Sequence, residues 1–327
     1  MENIIEVRNL YKQFNLEAGF FAKKLQNVYA VNDVSFDLHR GESYGIVGES
    51  GCGKTTTAKM LIQLYRQTSG QILYRPEKAS PLALLSDEAL ELSALKKKQL
   101  ALYREEVKYV FQDPARSLNP RMTVFDVLTA GLRYSSLWQG KKSAMEAASK
   151  IIVEAGLSPD DLFRRPAEFS GGQRQRISIA RALIMNPRLL LCDEVVSALD
   201  VSIQGQIINL LSGLKESRGL TYVFITHDLK VACYFCDRIG VMFRGVMVEE
   251  APASDLYKSA LHPYTKLLFA GAKGELNAGG LEVKTTLERE NCCPFAYRCP
   301  HAAERCKNEL PGFRTLDDGH RVRCFLD

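Results

Sequence analysis

The chain has 327 residues, with 43 Lys and Arg against 38 Asp and Glu and a net charge of +5; this near balance excludes the one-sided basic footprint of a nucleic-acid-binding protein. That length exceeds one compact core, so one large domain with a small appendage is expected. No apolar run is long enough to cross a bilayer, and Met1 to Glu6 lacks a basic segment followed by an apolar one, so the expectation is an unexported chain whose pore, if it transports anything, comes from other chains.

Ile4 to Leu10 and Val28 to Leu38 alternate polar and apolar residues, predicting strands of an antiparallel layer. Ser43 to Val47 is short and apolar, suited to a buried strand, and Lys54 to Tyr65 contains neither Gly nor Pro and predicts a helix. Between them Gly48-Glu49-Ser50-Gly51-Cys52-Gly53-Lys54-Thr55 completes the pattern G-x-x-x-x-G-K-[ST] of a phosphate loop. Its glycines let backbone N–H groups turn inward around α- and β-phosphates, Lys54 supplies a point charge for the β/γ-phosphates, and the Thr55 hydroxyl is a Mg²⁺ ligand. Residues 76–105 are charged and Leu-rich around Ser86-Asp87-Glu88, predicting a capped helix that joins Gly70–Tyr74 to a strand from Val107 to Phe111. From Asp113 to about Glu168 strand signals fade and helical patterns dominate, over Val124 to Leu132 and then Ser143 to Ala155.

Three further stretches carry chemistry. Ser170-Gly171-Gly172-Gln173 is a small-residue turn opening a helix whose free N–H groups form a second anion site. One nucleotide does not need two such sites. Leu189 to Cys192 is an apolar strand ending in Asp193, placed to hold a Mg²⁺ shell, and Glu194, placed to polarise an attacking water. Thr221 to Thr226 is a β-rich strand ending at His227-Asp228, a polar pair able to sense a γ-phosphate. Near Ala251 the core pattern ends; Pro252 to Ala270 reads as helix and turn, and Gly271 to Gly280 as a small-residue linker.

The order and wording of these segments resemble the ATP-binding subunit of an ABC transporter over nearly the whole chain. The resemblance implies a P-loop α/β core with an antiparallel β layer, a helical signature subdomain and a small Cys-rich cap. It makes Gly48 to Thr56 the Walker A loop, Gln112 in Val110-Phe111-Gln112-Asp113-Pro114 the Q-loop glutamine and a further Mg²⁺ contact, and Ser170 to Gln173 the signature. Asp193 and Glu194 match the Walker B aspartate and catalytic glutamate, Ser197-Ala198-Leu199-Asp200 the D-loop, and His227 the switch histidine. Tyr29 lies where the family stacks an aromatic ring on adenine, although a strand surface favours aromatics in any case. Phe169 and Val195 depart from the Leu and Pro common at those positions, and neither departure removes a ligand or an acid.

The Phe111–Pro114 stretch running into Ser117 to Val124, the Glu168 to Arg176 form of the signature and the Cys-rich tail are similar to the oligopeptide/dipeptide importer ATPases; the Glu17 to Lys24 insertion looks like the second ATPase type of that system. Nickel and other small-solute importers share the subfamily, so the solute stays open. The implied partners are two transmembrane permease subunits, a second ATPase of distinct sequence and, indirectly, an extracytoplasmic solute-binding protein, with no nucleic acid. The implied location is the cytoplasmic face of the membrane. The rival reading is a soluble ABC-type ATPase acting on nucleic acid or ribosomes. Such assemblies commonly pair two cores or insert long coiled coils, whereas this chain has one core and no sustained heptads. The expected division is an ATPase domain over 1–250 with its helical subdomain at about 113–168, a helix, turn and linker over 251–280, and a Cys-rich domain over 281–327.

Five of the nine cysteines, Cys292, Cys293, Cys299, Cys306 and Cys324, fall in the last 36 residues. Without a secretion signal metal binding is a stronger reading than disulfides. The intervals of five, six and seventeen residues from Cys293 to Cys324 do not match the paired C-x2-C of common zinc sites. The tail resembles those of peptide-importer ATPases in which four thiolates, here Cys293, Cys299, Cys306 and Cys324, hold a [4Fe–4S] cluster. Zinc, and plain thiols in a loop-rich cap, are the alternatives. Cys52, Cys192, Cys233 and Cys236 read as buried structural thiols.

Overall fold

The computed structural model describes residues 2–16, 26–85, 88–273, 291–316 and 319–326. The whole 17–24 insertion, Ser86 and Asp87 of the expected cap, and most of the 271–280 linker therefore lie outside the described residues, as do residues 281–290.

Strands β1 (Asn3–Leu16) and β2 (Gln26–His39) pair antiparallel, with Ile5 opposite Leu38 and Val7 opposite Phe36. β3 (Ser43–Val47) leads through the glycine loop into α1 (Lys54–Leu61), a turn shorter than expected; β4 (Ser69–Tyr74) then returns to the far edge of β1. The single capped helix expected over 76–105 is absent. The segment forms a short 3₁₀ turn at Pro81–Leu85, a two-residue strand β5 (Leu90–Glu91) on β4, a second 3₁₀ turn at Leu92–Ala94 and then α2 (Lys97–Glu106). Leu82 and Leu92 are both fully buried against the antiparallel layer, and anchoring both there breaks the run that one straight helix would need.

β6 (Val107–Val110) follows, and from Asp113 to Glu168 the chain makes only helices and turns: α3 (Pro114–Ser117), α4 (Val124–Thr129) and α5 (Lys141–Glu154) with 3₁₀ turns between them. Next come α6 (Gly171–Leu183), β7 (Leu189–Asp193), α7 (Val201–Arg218), β8 (Thr221–Thr226), α8 (Leu229–Phe235), β9 (Arg238–Phe243) and β10 (Val246–Pro252). Helices α9 (Ala253–Ser259) and α10 (Pro263–Lys273) close the core, and the tail adds α11 (Glu304–Asn308), β11 (Arg314–Thr315) and β12 (Arg321–Val322).

The strands form two sheets, one ordered β2-β1-β4-β5 and the other β11-β12-β10-β9-β3-β8-β7-β6. In the second, β9, β3, β8, β7 and β6 are all parallel. Alternation sorts its side chains between two cores. Leu189, Leu191, Val223 and Ile225 face the antiparallel sheet with Ile5, Val7 and Phe36, while Leu190, Cys192, Tyr222 and Phe224 face the helices with Ile179 and Ile207. The tail is not a detached cap: β12 pairs with β10, so the core sheet continues into it. Two-residue strands carry no periodicity by which the sequence could show this.

Candidate functional site

Register builds the site. Val47 pairs with Thr226, Asp193 with Ile225 and Val110 with Cys192, so the C-terminal ends of four neighbouring parallel strands finish level. The residues just beyond them, Gly48, His227, Glu194 and Phe111-Gln112, are thereby aligned along the crevice where open α/β sheets bind ligands.

In the phosphate loop two glycines are sterically required. A Cβ on Gly48, at φ 153°, would lie 2.1 Å from the Met242 carbonyl oxygen, and one on Gly53, at φ 105°, 2.2 Å from that of Ala30. Gly48 and Cys52 are buried, Glu49 and Gly53 half-buried, and Ser50 and Gly51 exposed at the rim. Burial pushes the Cys52 thiol up despite the Lys54 ammonium beside it, so it packs as a neutral group. Lys54 is 4% exposed and donates to the carbonyls of Gly48 at 2.8 Å and Glu49 at 2.9 Å, which leaves the cation inside the curl of the loop. Thr55 and Thr56 open α1, and the Thr55 hydroxyl donates to Asp193 Oδ1 at 3.0 Å.

Asp193 also accepts from the Tyr109 hydroxyl on β6. Burial raises the Asp193 carboxyl, and the Tyr109 and Thr55 hydroxyls oppose that rise. Tyr109 is a site residue that sequence reading missed, because on a strand its aromatic ring reads as ordinary packing. Thr55 and Asp193 together form an oxygen-donor pair suited to Mg²⁺.

Glu194 follows at φ 48°, in the left-handed region that a non-glycine residue adopts only when held there. Its N–H donates to the Ile225 carbonyl at 2.9 Å and its own carbonyl accepts from the Ser197 hydroxyl at 2.9 Å. The carboxylate meets Gln112 Nε2 at 2.7 Å and His227 Nδ1 at 3.5 Å. Gln112 and His227 are exposed, so the cluster faces outward. Tyr29 is half-buried on β2, and the neighbouring Ala30 carbonyl lies against Gly53.

The signature turn is built as a reciprocal cap. Ser170 N–H donates to Gln173 Oε1 at 3.0 Å, and Gln173 N–H to Ser170 Oγ at 3.3 Å. Ser170 and Gly171 are exposed, and Gly172 packs so closely on α7 that a Cβ there would lie 2.6 Å from Ile203 Cγ2. The unusual Phe169 is buried with the Arg164 guanidinium 4.3 Å from its ring centre. Asp200 caps α7 by accepting from Ile203 N–H at 3.0 Å.

In the tail Cys293, Cys299, Cys306 and Cys324 line one cavity of about 40 Å³ with Phe295 and Pro311. Burial pushes Cys293 up to about 11, and the Cys306, Cys324 and Cys299 thiols add to the rise. Among the described residues no three His, Cys, Asp or Glu side chains form a group that could hold a metal ion, so neither the iron–sulfur cluster nor the zinc alternative finds a preformed centre. Cys192 and Cys236 are buried and Cys233 half-buried on α8, and burial raises all three thiols. No helix of the described residues is long and apolar enough to cross a membrane.

Residues 31–197 match the ABC transporter family, and residues 248–306 match the C-terminal region of oligopeptide/dipeptide transporters. The oligopeptide transport ATP-binding protein AppF of Bacillus subtilis (strain 168) is 41% identical, over 99% of this chain and 98% of its own length. OppF, the oligopeptide transport ATP-binding protein of the same strain, is 44% identical over 99% of this chain and 96% of its own. Among solved structures, the ATP-binding cassette MJ0796, captured as a dimer in a post-hydrolysis state with ADP and Pi, superposes with a TM-score of 0.63 at 27% identity, covering 76% of this chain and 98% of that one. The phosphate loop, the acidic end of β7 and the tail matched at 248–306 together show that this chain belongs to the ABC transporter family, in its oligopeptide/dipeptide branch.

Proposed function

We propose that the chain is the energy-coupling ATPase of a peptide-type importer, seated on the cytoplasmic face of the membrane against two permease subunits and paired with a second, distinct ATPase. The level row of strand ends carrying Lys54, Thr55, Asp193, Glu194 and His227 is the observation that carries this reading. ATP phosphates lie on the loop N–H groups and Lys54, which exchanges its bonds to the Gly48 and Glu49 carbonyls for phosphate oxygens. Tyr29 stacks on adenine. Thr55 and Asp193 would hold Mg²⁺, with Gln112 a further contact through its amide oxygen; the ion would supply charge neutralisation of the phosphates. Glu194 accepts a proton from the attacking water as that oxygen bonds to the γ-phosphorus and the bond to ADP breaks. His227 donates to the γ-phosphate, and Gln112, bridging this carboxylate and the helices after Asp113, reports the site to the permease. Ser170 to Gln173 close the site of the neighbouring ATPase, and Asp200 lies at the same junction. AppF and OppF, named for oligopeptide transport, support a peptide as the solute. The ATPase unit is assigned to 1–250, with the helices of 113–168 docking the permease; 251–280 connects it to a Cys-rich unit at 281–327.

Full-length chain recovered from native membranes should bring with it two permease subunits and a second ATPase, identified by mass spectrometry. Recovery instead with ribosomes or nucleic acid would favour the soluble ATPase.

Four thiols lining one cavity, Cys293, Cys299, Cys306 and Cys324, are what supports a [4Fe–4S] cluster in the tail. Chain purified without oxygen should be brown and hold about four irons per chain. Cys306→Ser should lose the colour and Cys233→Ser keep it. Colourless protein with stoichiometric zinc would return the tail to structural zinc, and metal-free protein to plain thiols.

A further inference from the structure

The phosphate loop contains a carboxylate, Glu49, beside the position that a polyphosphate must occupy. A fixed anion there opposes binding unless something neutralises it. The structure supplies the counter-charge from outside the ATPase cassette: Arg298 Nη1 lies 3.2 Å from both Glu49 oxygens. The guanidinium sits 5.7 Å from the Phe243 ring centre and 5.6 Å from that of Phe295, so its stem and charge are held by an aromatic platform. A second tail-side group acts on the same residue. The fully buried Tyr264 on α10 presents its hydroxyl to the Glu49 N–H at 3.0 Å, with its ring 4.4 Å from Phe243 and 5.5 Å from Phe295. The third group of Glu49, its carbonyl, accepts from Lys54. One loop residue is thus fixed at its N–H by Tyr264, at its carboxylate by Arg298 and at its carbonyl by the lysine that will meet the phosphates.

We propose that Arg298 is a positioning residue for nucleotide binding: it neutralises and orients Glu49, so that the phosphate loop presents its N–H groups and Lys54 to ATP without the repulsion of its own carboxylate. Arg298 touches no phosphate and acts only through Glu49. The proposal rests on ATP occupying this loop, and Lys54→Ala serves as the control for that premise.

The test is a double-mutant cycle on the full-length chain, reading the Kd for Mg·ATP by calorimetry on the chain itself and the steady-state KM and kcat in the membrane assembly with its second ATPase. Arg298→Ala should weaken Mg·ATP binding about fivefold, the scale of coupling between contacting residues. It should raise KM in proportion while leaving kcat within twofold. Glu49→Gln added to Arg298→Ala should restore affinity, because the neutral amide no longer needs a counter-ion, and Arg298→Lys should retain most of it. Arg298→Gln keeps a stem on the rings and drops the charge, and the same restoration is required of it. A purely structural role for Arg298 predicts the opposite: damage to tail packing would not be repaired by changing Glu49. Unchanged affinity in Arg298→Ala, or a double variant as weak as the single, overturns the proposal. Unchanged affinity in Lys54→Ala would instead overturn the placement of ATP in this loop.

Discussion

Glu194 carries the sharpest statement that one residue makes here. Its backbone is held at φ 48° by bonds to Ile225 and Ser197, a conformation that costs on the order of 1–3 kcal/mol and aims the carboxylate between Gln112 and His227. Glu194→Gln keeps the shape and the amide's bonding capacity but removes the proton acceptor. ATP affinity should therefore stay close to that of the native chain while turnover falls at least ~100-fold. Binding by calorimetry and phosphate release measured together check this, and equal turnover in the two proteins would remove Glu194 from the chemistry. Lys54→Ala should show the reverse pattern, with loss of binding, since its charge is buried where phosphate enters. The residues of the motifs were legible in the sequence because a phosphate loop, a strand ending in two acids and a serine-glycine turn are each local patterns. Tyr109, Tyr264 and Arg298 were not. Each reaches the site across a large sequence separation, Arg298 by 249 positions, and no local pattern records such a contact.

At the scale of elements, several strands buried on both faces were read from the sequence, whereas β9 and β10, equally buried, were not. Thr221–Thr226 and Ser43–Val47 form as the sequence predicts because every residue in them is enclosed, leaving short, largely apolar, β-prone runs. The 76–105 segment was misread because its leucines serve two 3₁₀ turns and a short strand rather than one helix face. The tail strands were invisible, and their anchoring rests on charge as much as on register. Glu249 on β10 is fully buried and accepts from Leu261 N–H at 2.7 Å and His262 N–H at 3.0 Å, with His320 Nε2 at 2.7 Å. Arg321 meets Glu250 at 3.0 Å and Arg323 meets Asp33 at 3.0 Å, so each tail residue from 320 to 323 except Val322 docks through a polar side chain. Glu249→Ala strips acceptors from one buried and one half-buried backbone donor and from one buried ring at once. The expected cost is about 3 kcal/mol, more than a surface ion pair could account for. Thermal unfolding of the full chain should show it as a clear fall in Tm. Arg321→Ala removes one of two guanidinium partners of the buried Glu250, Arg238 remaining at 3.5 Å, so it should move Tm less.

At the scale of the whole molecule, the chain carries two candidate anion-binding features, which on the proposed pairing do not serve one nucleotide. The phosphate loop is lined up with Asp193, Glu194 and His227 by sheet register, whereas the signature turn exposes Ser170 and Gly171 and spends its own polar groups on its reciprocal cap. An outward-facing Ser170 and Gly171 are what the proposed pairing with a second ATPase requires. Substitution at Gly171 separates the two sites. A Cβ there would meet only Leu199 Cδ2, at 3.7 Å, so Gly171→Asp is sterically tolerated while placing a negative charge at the N-terminus of α6, where phosphate is expected. The isolated chain should bind Mg·ATP with nearly unchanged affinity, yet the membrane assembly should fail to transport. In an assembly with a distinct second ATPase, Gly171→Asp should disable the site containing the partner's lysine, and Lys54→Ala the opposite one, so vanadate trapping of labelled nucleotide should move from one subunit to the other between the two variants. Loss of ATP binding by the isolated Gly171→Asp chain would instead mean that the turn serves its own phosphate loop, and a self-contained ATPase would then describe the molecule better than one half of a pair.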